Sequence, residues 1–206
     1  MIIAVDGPTA SGKGTVAAAI ARHFDLPHLD TGLLYRAVGW QVARGGGDPD
    51  DPADALAAAD FPDALLREPR LRNEEVGAFA SRVSVHPAVR DALFQRQRAF
   101  ATQAGGAVLD GRDIGTVIAP DADVKLFVTA SVEERARRRW LELAKRGMDV
   151  TQADIQRDIV RRDARDIGRA DAPLRPASDA LILDTTSFDK NQAIEAAIEA
   201  VQTALR

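Results

Sequence analysis

Cysteine is absent from this chain, which excludes disulfides and thiolate metal sites and suits a reducing compartment. No stretch approaches the roughly 18 consecutive apolar residues that a membrane span needs. The first residues carry no basic segment, and the apolar run after Met1 is too short for a secretory signal. A cytoplasmic location with no membrane partner is therefore expected. Lysine is scarce: only Lys13, Lys125, Lys145 and Lys190 occur, and the other basic residues are arginine. With a net charge of −4 there is no global field to attract nucleic acid, and no nucleic-acid partner is expected. His23, His28 and His86 show neither metal-ligand spacing nor a paired base, and read as structural or surface residues. No Ser/His/Asp nucleophile arrangement, internal repeat or long low-complexity tract occurs.

What is present is an ordinary globular composition. The 206 residues, 46% hydrophobic and 28% charged, suffice for one substantial core with small inserted lobes. Short β-branched or leucine-rich runs predict strands at 2–6, 26–30, 107–110, 124–129 and 180–184. Helices are predicted at about 13–24, 34–44, 73–85, 87–103, 132–146, 152–165 and 190–205. Ser131 with Glu134, and Thr151 with Asp154, have the spacing of capping boxes. Alternating strands and helices predict an α/β fold with a parallel sheet. Two stretches break the rhythm. The run from Gly45 to Pro52 reads as a flexible acidic connection, followed to about Arg72 by weakly periodic sequence, an inserted lobe. Arg146-Gly147-Met148-Asp149 is the second break, before a helix dense in Arg and Asp. Both read as hinged appendages.

Residues Gly7-Pro8-Thr9-Ala10-Ser11-Gly12-Lys13-Gly14-Thr15 directly follow the first strand and open the first helix. Glycines at this spacing let backbone N–H groups wrap a phosphate chain, with the positive end of the helix dipole behind them. Lys13, expected to face solvent, adds a full charge toward the β- and γ-phosphates. These nine residues are the candidate donor-nucleotide site. The common form of this loop has Ser or Thr directly after the lysine as a Mg²⁺ ligand. Here Gly14 intervenes, and Thr15 is the candidate ligand.

Asp110-Gly111-Arg112-Asp113 closes a hydrophobic strand. A carboxylate there is suited to orienting Mg²⁺ through water, which makes Asp110 the second metal candidate. A tight Asp-Gly turn explains Asp110 and Gly111 but not Arg112 and Asp113. Arg162, Arg165, Asp166 and Arg169 would share one helix face, with more arginine than the carboxylates can pair. That excess favours a mobile lid bringing cations onto phosphates over a solvated surface. Thr31 or Asp30 is placed to cap the second helix, and Arg36, one turn in, to meet a second phosphate. Arg135, Arg138 and Arg139 lie where they could reach donor phosphates, and a solvated helix face explains them equally well.

Together, Gly7–Thr15, Asp30-Thr31-Gly32 with Tyr35-Arg36, Val89-Arg90, Gln95 to Phe100, Asp110 to Val117 and Arg162 to Leu174 resemble bacterial cytidylate kinases, over nearly the whole chain and in the family's order. The resemblance implies the nucleoside-monophosphate kinase fold: a five-stranded parallel sheet flanked by helices, with an inserted acceptor lobe and a short helical lid. It divides the chain into a core at 1–30, 105–145 and 170–206, an acceptor lobe at 31–104 and a lid at 146–169. It implies transfer of the γ-phosphate of ATP to CMP or dCMP with Mg²⁺, by a monomer. Lys13, Arg112, Arg165 and Arg169 would carry the catalysis, and Arg138 would join the phosphate loop in holding ATP. Arg36, Arg112 and Arg169 would hold the acceptor phosphate. Ser81, Arg90 and Asp113 would read cytosine, Arg162 and Asp166 the ribose, and Thr31 keeps a hydroxyl where some members have serine. The departure is at about 55–72, where a longer, strand-rich insert is usual. A different acceptor, another nucleotide or shikimate, is the nearest rival. A nucleotide switch would need a guanine-selecting Asn-Lys-x-Asp, which is missing.

Overall fold

A computed structural model describes all 206 residues. Five strands form one parallel sheet: β1 (Ile2–Asp6), β2 (His28–Asp30), β3 (Ala107–Gly111), β4 (Val124–Thr129) and β5 (Leu181–Asp184), in the order β2-β3-β1-β4-β5. Near-continuous apolar runs belong in such a sheet because helices cover both its faces. Ile3, Val5, Val108, Leu126 and Val128 pack under α1 (Lys13–His23) and α8 (Lys190–Ala204). Ala4, Ala107 and Leu109 point the other way, toward α5 (Pro87–Ala101) and a π-helical turn at Ile114–Ile118. The order reverses at β1, so the crevice of this open sheet lies at the carboxyl end of β1, where the glycine-rich loop begins.

Between β2 and β3 the chain forms α2 (Gly32–Gly45), α3 (Pro52–Ala57), two 3₁₀ turns at Asp63–Arg67 and Pro69–Arg72, α4 (Glu74–Val83) and then α5. This insertion has its own core around Leu34, Val38, Phe61, Leu71 and Leu93, and contains no strand. The short helix α3 was not expected. Asp51 accepts hydrogen bonds from the N–H groups of Ala53 and Asp54, and Pro52 supplies a preset φ at the first helical position. Nor is the acidic connection before it free: Arg82 donates to Asp48 at 2.9 Å and to Asp50 at 2.6 Å.

Between β4 and β5, α6 (Val132–Lys145) and α7 (Gln152–Ile167) pack on Ala136, Leu143, Ile155 and Ile159. Only half of each expected capping box forms. Ser131 and Thr151 accept from the N–H groups of Glu134 and Asp154. The acids do not complete the boxes, being drawn to Arg137 and Arg138 in one case and to Arg157 and the Thr151 hydroxyl in the other. The complete box is at α8, where Asp189 accepts from Asn191 and Gln192 while Gln192 accepts from Asp189. Helix α7 stops at Ile167, so Arg169 lies beyond it rather than on its face, and Asp166 O accepts from Leu174 N.

Candidate functional site

The glycine-rich loop turns sharply under the end of β4. Gly7 has φ 157°, and a Cβ there would lie 2.1 Å from Val128 O. Gly12 (φ 88°) supplies the left-handed entry to α1, and Ala10 adopts φ 60° although it carries a Cβ. From Thr9 to Thr15 the loop lines a cleft of about 960 Å³. Lys13 is half-buried rather than free in solvent, with Nζ 3.4 Å from Pro8 O. Burial and the nearby Arg112 lower its pKa to about 8, against the pull of Asp110 and Asp30.

Opposite the loop, β3 presents Asp110. Its Oδ1 bonds His28 Nε2 at 2.7 Å, while Oδ2 turns toward Gly14. His28 is thus paired, contrary to the sequence reading, because β2 and β3 are neighbours in register. Burial, and then the Asp110 charge, raise the Asp30 carboxyl. Thr15 and Asp110 both line the cleft beside the loop, and their hard oxygens suit Mg²⁺ held chiefly through water and phosphate. Thr31 does not cap α2: its hydroxyl donates instead to Asp110 O at 2.8 Å.

The remaining candidates reach the cleft wall from three places: Arg36, Ser81 and Arg90 from the insertion, Arg112 and Asp113 from the end of β3, and Arg138, Arg162, Asp166 and Arg169 from α6, α7 and the segment after it. Gly7, Pro8 and Arg165 are not in that wall. Arg165 donates to Ser81 Oγ at 2.6 Å, bridging α7 to α4. Arg36 donates to the carbonyls of Leu71 and Asn73 at 2.7 and 2.9 Å, and burial lowers its pKa to about 10. Arg112 donates to Asp166 at 2.7 Å and to Thr9 Oγ1 at 3.0 Å. Arg90 is buried, donating to Asp113 and, at 3.1 Å, to Asp171, while its Nη1 has no partner. Burial raises the Asp113 carboxyl, opposed by the Arg90 charge. Arg169 donates to Ala172 O at 2.9 Å. Arg162 is paired with Asp158 and lies near Glu74.

The three arginines of α6 separate. Arg138 is tied to Glu134, Thr185 and the Phe188 carbonyl at the cleft edge, and Arg139 pairs with Glu74 and Glu142. Arg135 leaves the cleft and is buried against Asp163. Sequence reasoning also missed Asp6. Its two oxygens accept from Ile114 N and Gly115 N, each at 2.8 Å, anchoring the turn after Asp113, and burial raises its pKa to about 7. An acid ending the first strand was a visible signal; its partners, more than a hundred residues on, were not.

Comparison with known proteins shows the family of this chain. The family model described as cytidylate kinase matches residues 3–203. The cytidylate kinase of Cereibacter sphaeroides is 57% identical over 200 residues, covering 97% of this chain and 94% of the relative. That of Granulibacter bethesdensis is 55% identical over 204 residues, covering 98% and 97%. Among solved structures, an uncharacterized protein from Eubacterium ventriosum superposes with a TM-score of 0.56 at 16% identity, covering 98% of each chain. TT1252 from Thermus thermophilus gives 0.50 at 21%, covering 100% of this chain and 98% of that one. At such identities these two speak for the fold alone.

Proposed function

The chain belongs to the cytidylate kinase family, and from that premise we infer its reaction: transfer of the γ-phosphate of ATP to CMP or dCMP, giving ADP and CDP or dCDP. The observation that carries the acceptor assignment is the buried Arg90–Asp113 pair. It sets an unpartnered guanidinium N–H beside a carboxylate in the cleft wall facing the phosphate loop. Cytosine presents an N4 amino donor next to N3 and O2 acceptors, so Asp113 accepts from N4 while Arg90 donates. Uracil would set a carbonyl against the carboxylate. Ser81 completes the base site.

Catalysis of phosphoryl transfer is positioning plus charge neutralisation. The loop N–H groups and Lys13, with Arg138 at the edge, hold the donor. Arg36, Arg112 and Arg169 hold the acceptor phosphate, Arg162 and Asp166 the ribose, and Arg165 closes with the lid. Arg112 and Asp166 exchange their mutual contact for the nucleotide. Mg²⁺ would be held by the Thr15 hydroxyl and, through water, by Asp110, and would supply positive charge against the phosphates of ATP. The lobes are taken as a core at 1–30, 105–145 and 170–206, an acceptor lobe at 31–104 and a lid at 146–169. A monomer suffices, since one chain supplies every wall of the cleft, and the reading places the protein in the cytoplasm with its nucleotides.

The test is steady-state ADP formation across CMP, dCMP, UMP, AMP and shikimate, for the parent and Asp113→Asn. CMP or dCMP should be preferred. The variant should lose about 30-fold in kcat/KM for CMP, the worth of about 2 kcal/mol of charged hydrogen bond, and the CMP to UMP ratio should fall. Preference for another acceptor, or an unchanged ratio, overturns the base assignment.

A further inference from the structure

Thr9, near the apex of the phosphate loop, is held on both sides of its backbone by side chains that do not line the cleft. Its N–H donates to Asp163 Oδ1 at 3.1 Å, and its carbonyl accepts from Arg135 Nη1 at 3.0 Å. Arg135 comes from α6 and Asp163 from α7; they pair with each other, and Arg135 Nε donates to Ala130 O at 2.9 Å. Both residues are buried, at 4% and 8% exposure, so neither is a solvated surface charge. With its backbone groups taken and its hydroxyl accepting from Arg112, Thr9 has no N–H left to offer a phosphate. The next residue, Ala10, is left-handed at φ 60°, a conformation that a Cβ disfavours.

We propose that Arg135 and Asp163 are positioning residues that lock the phosphate loop from the α6–α7 appendage, gripping Thr9 so that Ala10 keeps its left-handed turn. The loop N–H groups of Gly12, Lys13 and Gly14, which no backbone carbonyl takes, then stand ready at the cleft before a nucleotide arrives. The inference rests on the reading of this loop as the donor site. It couples the root of the lid to donor affinity without either residue touching nucleotide.

The experiment is calorimetric titration of ADP, with no acceptor present, into the whole chain. The variants are Asp163→Asn, the apolar replacement Arg135→Met with Asp163→Leu, and each combined with Ala10→Gly. The apolar replacement strands no buried charge and so guards against simple unfolding. Losing the grip should weaken ADP binding about tenfold, the scale of one left-handed penalty. Ala10→Gly should recover most of that loss, because glycine takes the same turn freely. Affinity within about twofold of the parent in both unclamped variants overturns the proposal. So does a loss that Ala10→Gly leaves untouched, which would mark the pair as mere support for the α6–α7 core. If the parent itself bound no ADP, the donor-site reading would fall and this inference with it.

Discussion

At Lys13 the cost of burying an ammonium, reinforced by Arg112, outweighs the attraction of Asp110, Asp30 and Asp166 and brings the pKa to about 8. In the free protein the charged form is therefore penalised below that pH, and the penalty fades as pH rises toward the unfolded value of 10.5. A bound phosphate favours the charged form, so nucleotide binding above about pH 8 should take up a proton, and affinity should fall as pH rises through that range. Calorimetry of ADP binding at about pH 8.5, in two buffers of different ionisation enthalpy, measures the uptake. Lys13→Arg, whose guanidinium stays charged, should abolish it; equal heats in both buffers for the parent would mean that Lys13 is already protonated. The lysine itself was legible from its place in the loop. Its setting was not, any more than the pairing of His28 with Asp110 across 82 positions.

Most elements could be read from periodicity and end signals, and the exceptions have local causes. Helix α3 is six residues long, too short for a periodic pattern, and rests on its Asp51 cap and Pro52. The π-helical turn after Asp113 follows from Asp6 gripping two successive N–H groups from another strand. Helix α8 carries the one reciprocal capping box, in Asp189-Lys190-Asn191-Gln192, where the side chain that completes it is a Gln at the third helical position. Asp189→Ala leaves two N–H groups without their acceptor and should lower the free energy of unfolding by about 1 kcal/mol, with an unchanged urea m-value. A loss below about 0.3 kcal/mol would show that water replaces the cap at no cost.

Across the whole molecule, the cleft is closed by contacts between parts far apart in sequence: Arg165 with Ser81, Glu74 with Arg139 and Arg162, and Arg112 with Asp166. Arg112 belongs to the end of β3 and Arg169 to the segment after α7, so the convergence on one phosphate proposed for them rests on the assembled lobes. Arg112→Ala and Arg169→Ala should each reduce kcat/KM for CMP by about a hundredfold, and the double variant by much less than the product. Arg22→Ala, at the exposed end of α1, should stay near the parent. Strict additivity would place the two arginines on separate groups. The sequence alone determined the α/β class, the donor loop and the family, because these depend on short-range spacing: glycines within one turn, an apolar strand before them, Asp-Gly-Arg-Asp in four consecutive residues. Which arginines face the cleft and which are buried partners was decided only by tertiary structure. Arg135 and Arg138 are three residues apart on one helix, yet one is sealed against Asp163 and the other edges the cleft. Charge and periodicity treat them alike; what distinguishes them is what folding brings to each, the Asp163 carboxylate to Arg135 and the Thr185 hydroxyl and Phe188 carbonyl to Arg138.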